Sequence, residues 1–195
     1  NNNDYYRYYR FYETANIQGS NYGSVSNFEI HGYDFETDPV HYTHESQVYL
    51  GRLDGGFGSY YTATPTGTAF SSSEFSASYP ASDAFNGTVS DSTDAWHSES
   101  GDMADGAHLG YQFANPVIIN KYRIITRLNA TNSYPEFVPK TWQFQGSNDG
   151  STYTTIDYRT NITNWSKPTT IGYTDDIIVN QHFKTFCFAN TTKYT

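Results

Sequence analysis

Pro139-Lys140-Thr141-Trp142-Gln143-Phe144-Gln145-Gly146-Ser147-Asn148-Asp149-Gly150 reads as a strand that runs into a tight turn. Trp142 and Phe144 stand two residues apart, so an extended backbone puts both rings on one face and the intervening Gln143 on the other. Gly-Ser-Asn-Asp-Gly is turn chemistry, because Asn and Asp side chains close local turns and Gly supplies positive φ. The same grammar extends in both directions. Short β-branched or aromatic runs, punctuated by Gly, Pro and Asn-Gly pairs, predict strands at residues 5–14, 24–31, 108–113, 116–128, 140–147, 152–157, 176–180 and 182–189. No segment carries a helical apolar period. Seven or eight short strands predict an all-β fold, an antiparallel sandwich, with Trp96, Ile118, Ile124, Trp142 and Phe144 in its core.

Composition points the same way. Aromatic residues make up 18% of the 195, with 19 Tyr, while charged residues make up only 16%, so burial must come from rings and β-branched side chains. The length suits one main domain with a modest extension. A formal charge of -9 repels phosphate backbones and anionic headgroups, which argues against nucleic acid and membrane surfaces as partners. No run of 18 apolar residues is present, so no membrane insertion is expected. The single cysteine, Cys187, permits no internal disulfide and is expected to act as a small buried hydrophobe between Phe186 and Phe188. The polar surface of Asn, Ser, Thr and Tyr predicts an extracellular or surface-displayed chain.

Four stretches carry a resemblance: Tyr79-Pro80-Ala81-Ser82-Asp83-Ala84-Phe85-Asn86-Gly87, Thr93-Asp94-Ala95-Trp96-His97-Ser98, Leu109-Gly110-Tyr111-Gln112-Phe113, and the 139–150 stretch above. In this order they resemble the discoidin or coagulation-factor (F5/8 type C) domains, which include the family-32 carbohydrate-binding modules. The resemblance implies a jelly-roll-like antiparallel sandwich whose loops at one end hold a ligand. It also implies a calcium site, carried over to Asn86, Thr93 and Glu29. Asn86 stands where the family usually has Asp, which removes a negative charge and weakens such a site.

The N-terminal segment is out of order for that family. Tyr8-Tyr9-Arg10-Phe11-Tyr12, a turn with Gly19, Asn21 and Gly23, and Val25-Ser26-Asn27-Phe28-Glu29-Ile30-His31-Gly32 resemble its last two strands. Three accounts follow: the strands close their own sandwich as in a circular permutant, they are donated to the preceding unit of a tandem array, or they finish a different upstream domain. Donation is the expectation adopted here, with residues 1–35 as terminal strands, 36–66 as a connector with Pro39 and the Gly55-Gly56 pair, and 67–195 as a sandwich lacking its last strands.

No catalytic constellation is visible, and a non-enzyme is expected. His41 and His44 lack further ligands at zinc spacing, and the pairs Asp102/Asp105 and Asp175-Asp176 are ordinary loop acids. Arg7 and Arg10, on opposite faces of a strand, do not make a nucleic-acid platform. Tyr134, Arg159 and Trp165 are candidates for carbohydrate contact, since sugars are held by ring faces and charged donors; for Trp165 a satellite place beside the core is the other reading. Asn86, Asn129, Asn161, Asn164 and Asn190 each open an Asn-x-Ser/Thr sequon and are candidates for covalent N-glycans. No cofactor is required; structural calcium and covalent N-glycans are the additions these residues allow. Two functions compete. One is a glycosylated structural or adhesive repeat of a surface fibre, partnered by neighbouring copies of itself, and the other is a carbohydrate-binding module of an adhesin, a viral or phage fibre or a secreted enzyme.

Overall fold

Alternation of rings and polar residues along 139–147 does produce a strand, and it lies near the middle of a sheet. The computed structural model describes residues 6–33, 67–87, 93–127, 137–163, 165 and 183–188. Its strands are β1 (Tyr6–Asn16), β2 (Ser24–Val25), β3 (Asn27–Tyr33), β4 (Gly67–Ser71), β5 (Trp96–His97), β6 (Ala107–Ile125), β7 (Pro139–Ser147), β8 (Thr154–Arg159) and β9 (Phe183–Cys187). Helix among the described residues is confined to α1 (Asp102–Asp105) and a 3-10 turn at Ala81–Phe85.

Every strand pairing described is antiparallel. β1 sits between the first half of β6 and β7, with β4 on the far side of β6 and β8 on the far side of β7. Past Pro116 the same strand changes partners, and its second half pairs with β3 on one side and β9 on the other. The chain therefore has a front and a back layer that share one long strand. Residues 108–113 and 116–128, expected as two strands, are continuous in β6. The changeover is a bulge: Tyr6 faces Val117 while Tyr8 faces Gln112, so Phe113–Pro116 bow out around Arg7. Proline has no N–H to give a ladder, and a bulge is where a sheet tolerates it. The Arg7 Nε donates to the Phe113 carbonyl at 3.1 Å and ties the bow down. Neither Arg7 nor Arg10 enters the core, Arg7 being exposed and Arg10 half-buried.

Inward-facing residues fill the space between the layers. Tyr9, Phe11, Leu109, Phe113, Trp142 and Phe144 come from the front, and Phe28, Ile30, Tyr122 and Ile124 from the back, all essentially inaccessible to water. Tyr122 stacks on Phe144 at 4.7 Å and on Phe186 at 5.2 Å. Trp96 is equally buried. The side chain of Ile118, also expected in the core, lies outside those described. Polar edges of the rings are satisfied in series: the Trp142 indole N–H donates to the Tyr122 hydroxyl at 2.8 Å, which donates to Asp157 at 2.7 Å. Burial, aided by that carboxylate, raises the Tyr122 pKa.

The N-terminal strands overturn the expected donation. β1 pairs with β6 and β7, and β3 with β6, of their own chain. The physical reason lies in β1 itself, whose Tyr9 and Phe11 occupy the middle of the core, Phe11 being 5.7 Å from Trp142 and 5.8 Å from Phe28. Removing so central a strand would open the core, not merely free an edge. Cys187 is a further correction, since it is exposed. In β9 the alternation turns Phe186 inward, and its neighbour must then face out. The sequence reading missed β4, a five-residue edge strand, and the expected strand at 176–180, the connector 36–66, His41, His44 and Asp175-Asp176 fall outside the described residues.

Candidate functional site

One end of the sandwich gathers rings from three loops around a single buried histidine. His97 ends β5 and is 5% exposed, and its ring is met by those of Phe137 at 4.9 Å, Tyr22 at 5.0 Å, Phe75 at 5.1 Å and Tyr79 at 5.6 Å. The His97 Nδ1–H donates to the Ser98 carbonyl at 2.8 Å, which fixes the ring's orientation. Arg127, just past β6, lays its guanidinium 4.9 Å from the Tyr79 ring and donates to the Tyr79 hydroxyl at 3.3 Å.

Each loop is pinned by backbone bonds. The Phe75 N–H donates to the His97 carbonyl at 2.7 Å, and the Trp96 indole N–H to the Ser73 carbonyl at 2.9 Å. Gly23 and Ser98 exchange two bonds, N–H of Gly23 to the Ser98 hydroxyl at 2.8 Å and N–H of Ser98 to the Gly23 carbonyl at 2.9 Å. Ile17 donates to the Val138 carbonyl at 2.8 Å, and Val138 donates to the Gln18 side chain at 3.0 Å. Phe137 is held at φ 53°, a left-handed conformation costly for a bulky residue and maintained only where the surroundings impose it. Phe75 crowns the cluster with 52% of its surface exposed.

This end combines an exposed ring, partly exposed tyrosines, a guanidinium and fixed loops. No group of three or more His, Cys, Asp or Glu able to hold a metal occurs among the described residues. The F5/8 type C domain family matches residues 68–186 of the sequence. The chain belongs to that family. No curated protein and no solved structure matches it. F5/8 type C domains are carbohydrate- or ligand-binding modules, typically non-catalytic and usually extracellular or surface-associated. No helix among the described residues is long and apolar enough to cross a membrane.

The discoidin frame places the residues singled out from sequence very differently from one another. Trp165 is a satellite of the core, its ring 6.3 Å from Trp142 and its indole N–H on the Pro139 carbonyl at 2.8 Å. Arg159 closes the Trp142–Tyr122–Asp157 series, with its Nε 2.7 Å from Asp157 and a second nitrogen donating to the Cys187 carbonyl at 3.2 Å. Tyr134 lies outside the described residues, in the segment between Arg127 and Phe137. Of the calcium set, Glu29 is buried and meets Arg123 at 3.2 Å, and the Asn86 amide donates to Asp94 at 2.7 Å, while Thr93 is exposed. The carboxylate expected to charge that site is thus already opposed by a guanidinium. Asn161 is exposed and Asn86 has its amide nitrogen engaged; Asn129, Asn164 and Asn190 lie outside the described residues.

Sequence reading missed Tyr22, Phe75, Tyr79 and Phe137. Tyr79 was absorbed into a framework motif. Phe75 carried a usable signal, a lone ring in Ser71-Ser72-Ser73-Glu74-Phe75-Ser76-Ala77-Ser78, where nothing nearby in sequence would bury it.

Proposed function

We propose that this chain is a carbohydrate-binding module of an extracellular surface, and that the ring cluster at the loop end is its sugar site. The observation that carries this reading is Phe75, half-exposed above a rigid aromatic base with Arg127 and two tyrosines beside it. Sugar rings present C–H faces that stack on aromatic planes, and hydroxyls that pair with fixed polar groups. An adhesive role then follows from ligand binding, without strand donation between copies. N-glycans are proposed at Asn161, the sequon among the described residues whose exposed side chain is uncommitted to Asp94-type bonding; intact mass of the chain secreted from an N-glycosylating host, with and without Asn161→Gln, tests this.

A glycan array probed with the wild-type chain and with Phe75→Ala tests the main reading. Wild type is expected to bind a restricted set of glycans and Phe75→Ala to lose them while melting at nearly the same temperature. An array on which neither protein binds, or on which both bind alike, overturns it.

A further inference from the structure

The outward face of the front layer carries a second feature, made of residues other than those of the loop end. Tyr8, Arg10 and Phe70, with His108, Gln112 and Tyr153, line a shallow groove of about 250 Å³. Its floor exists because Gly110 has no side chain: the Phe70 ring occupies the space where a Cβ would stand. Phe70 meets Tyr8 edge-on at 6.4 Å and His108 at 6.3 Å, so the wall is aromatic and fixed.

Arg10 is the anomaly. Its guanidinium lies 3.6 Å over the Tyr153 ring, and its Nε donates to Gln145 at 2.6 Å. It is half-buried, and burial lowers its pKa, yet no carboxylate among the described residues lies within ion-pair distance of it. The acids around the groove are already committed. Asp102 accepts from Ser72 and from Ser73, the latter at 2.8 Å, and Asp149 accepts from the Ser147 hydroxyl and the backbone N–H groups of Ser151 and Thr152. In a chain of net charge -9, a half-buried cation left without a counter-ion among the described residues is a place where an anion is wanted. Stacking on Tyr153 and the bond to Gln145 hold the guanidinium plane fixed, so little ordering entropy remains to be lost when a carboxylate docks.

We propose that this groove binds a carboxylate-bearing sugar, a uronic acid residue of a glycan, with its carboxylate on Arg10 and its ring against Tyr8 and Phe70. Gln112 and His108 supply polar atoms for the ring hydroxyls. The volume is below that of a drug-sized pocket and suits a single sugar ring. This site does not depend on the loop end being a sugar site.

Titration of methyl glucuronide into the isotope-labelled wild-type chain, followed by amide NMR, tests the proposal, with methyl glucoside and acetate as controls. Saturable shifts are expected at Tyr8, Arg10, His108, Gln112 and Tyr153 with the glucuronide, weakened at raised salt and smaller by at least tenfold in affinity for both controls. Arg10→Gln is expected to lose them at unchanged melting temperature, and Arg10→Lys, which keeps charge but not the fork, to weaken them. Phe75→Ala should leave them intact. Equal response to glucoside overturns the role of Arg10, equal response to acetate leaves an adventitious anion only, and shifts confined to Phe75, Tyr79 and His97 move binding to the loop end; each defeats the proposal, as does the absence of saturable shifts. The wild-type titration decides the matter even if an Arg10 variant does not fold.

Discussion

The interior and the loop end are both built of aromatic rings, yet they make opposite use of them. In the interior, Trp142, Tyr122 and Phe144 are sealed from water, and their polar atoms are handed from one to the next until Asp157 and Arg159 take up the series. At the loop end the rings are packed around His97 just as closely, but Phe75 is left half-bare and Phe137 is held in a strained conformation. The lesson is that ring content alone does not separate stability from recognition; exposure and the cost of the backbone do.

Truncating the interior should produce the largest effect. Trp142→Ala is expected to lose about 3–5 kcal/mol by lost burial and a cavity, read from denaturant unfolding, and an unchanged midpoint would break the contrast at its root. Next comes Glu13, the interior's flaw. Its side chain is fully buried, neither oxygen has a hydrogen-bond partner among the described residues, and burial raises its pKa well above the ordinary value of 4.5. Below that value both folded and unfolded chains hold the proton, and Glu13 adds no pH dependence. Above it the unfolded chain releases the proton while the folded chain keeps it, so stability falls as pH rises until the raised folded pKa is passed, and then levels off. Glu13→Gln should remove this decline. Wild type and variant with parallel stability profiles between pH 4 and 9 would exclude it. Glu13→Leu, which also removes the unpaired oxygens, is expected to stabilise by roughly 1–3 kcal/mol at neutral pH.

Phe75→Ala should reverse the weighting. Being half-exposed, it is expected to change stability by less than about 1 kcal/mol but to weaken sugar binding by about tenfold or more, a hot-spot loss. A large drop in melting temperature would mean that the loop end is merely more core. The smallest effect is expected at the rim of the interior series, where Arg159→Ala should cost no more than about 1 kcal/mol, because its guanidinium is partly solvated. A loss as large as that of Trp142→Ala would show that the series behaves as one cooperative unit.

Much of the interior was legible in advance. Trp142 and Phe144 fell where period two put them, and the family stretches marked Trp96 and the Leu109–Phe113 run, because a sandwich face is written in adjacent residues of one strand. The loop end was not legible, because Tyr22, Phe75, His97 and Phe137 are brought together from four separate segments and none has a sequence neighbour that explains it. Trp165, for which a satellite place beside the core was one of the two readings, and Arg159 show the converse. Each stands in a polar stretch, but Trp142 and Asp157, distant or on the same strand, give them internal work. Donation of the N-terminal strands was a sound inference about edges applied to a strand that turned out to be central, and only the register of Phe11 between Phe144 and Leu109 decides that.

The position of β1 also sets the order in which the protein can be made. It is synthesised before either of its partner strands, and Tyr9 pairs with Tyr111 and Gly146, so at ordinary synthesis rates it waits on the order of ten seconds for its second neighbour. Until β6 emerges a strand rich in Tyr and Phe has both edges open, and until β7 follows it one edge stays open, so two such nascent chains on one message present each other with a matching template. High contact order slows folding further. Yield of the folded chain should therefore respond more to chaperone supply and growth temperature during synthesis than its finished stability would suggest.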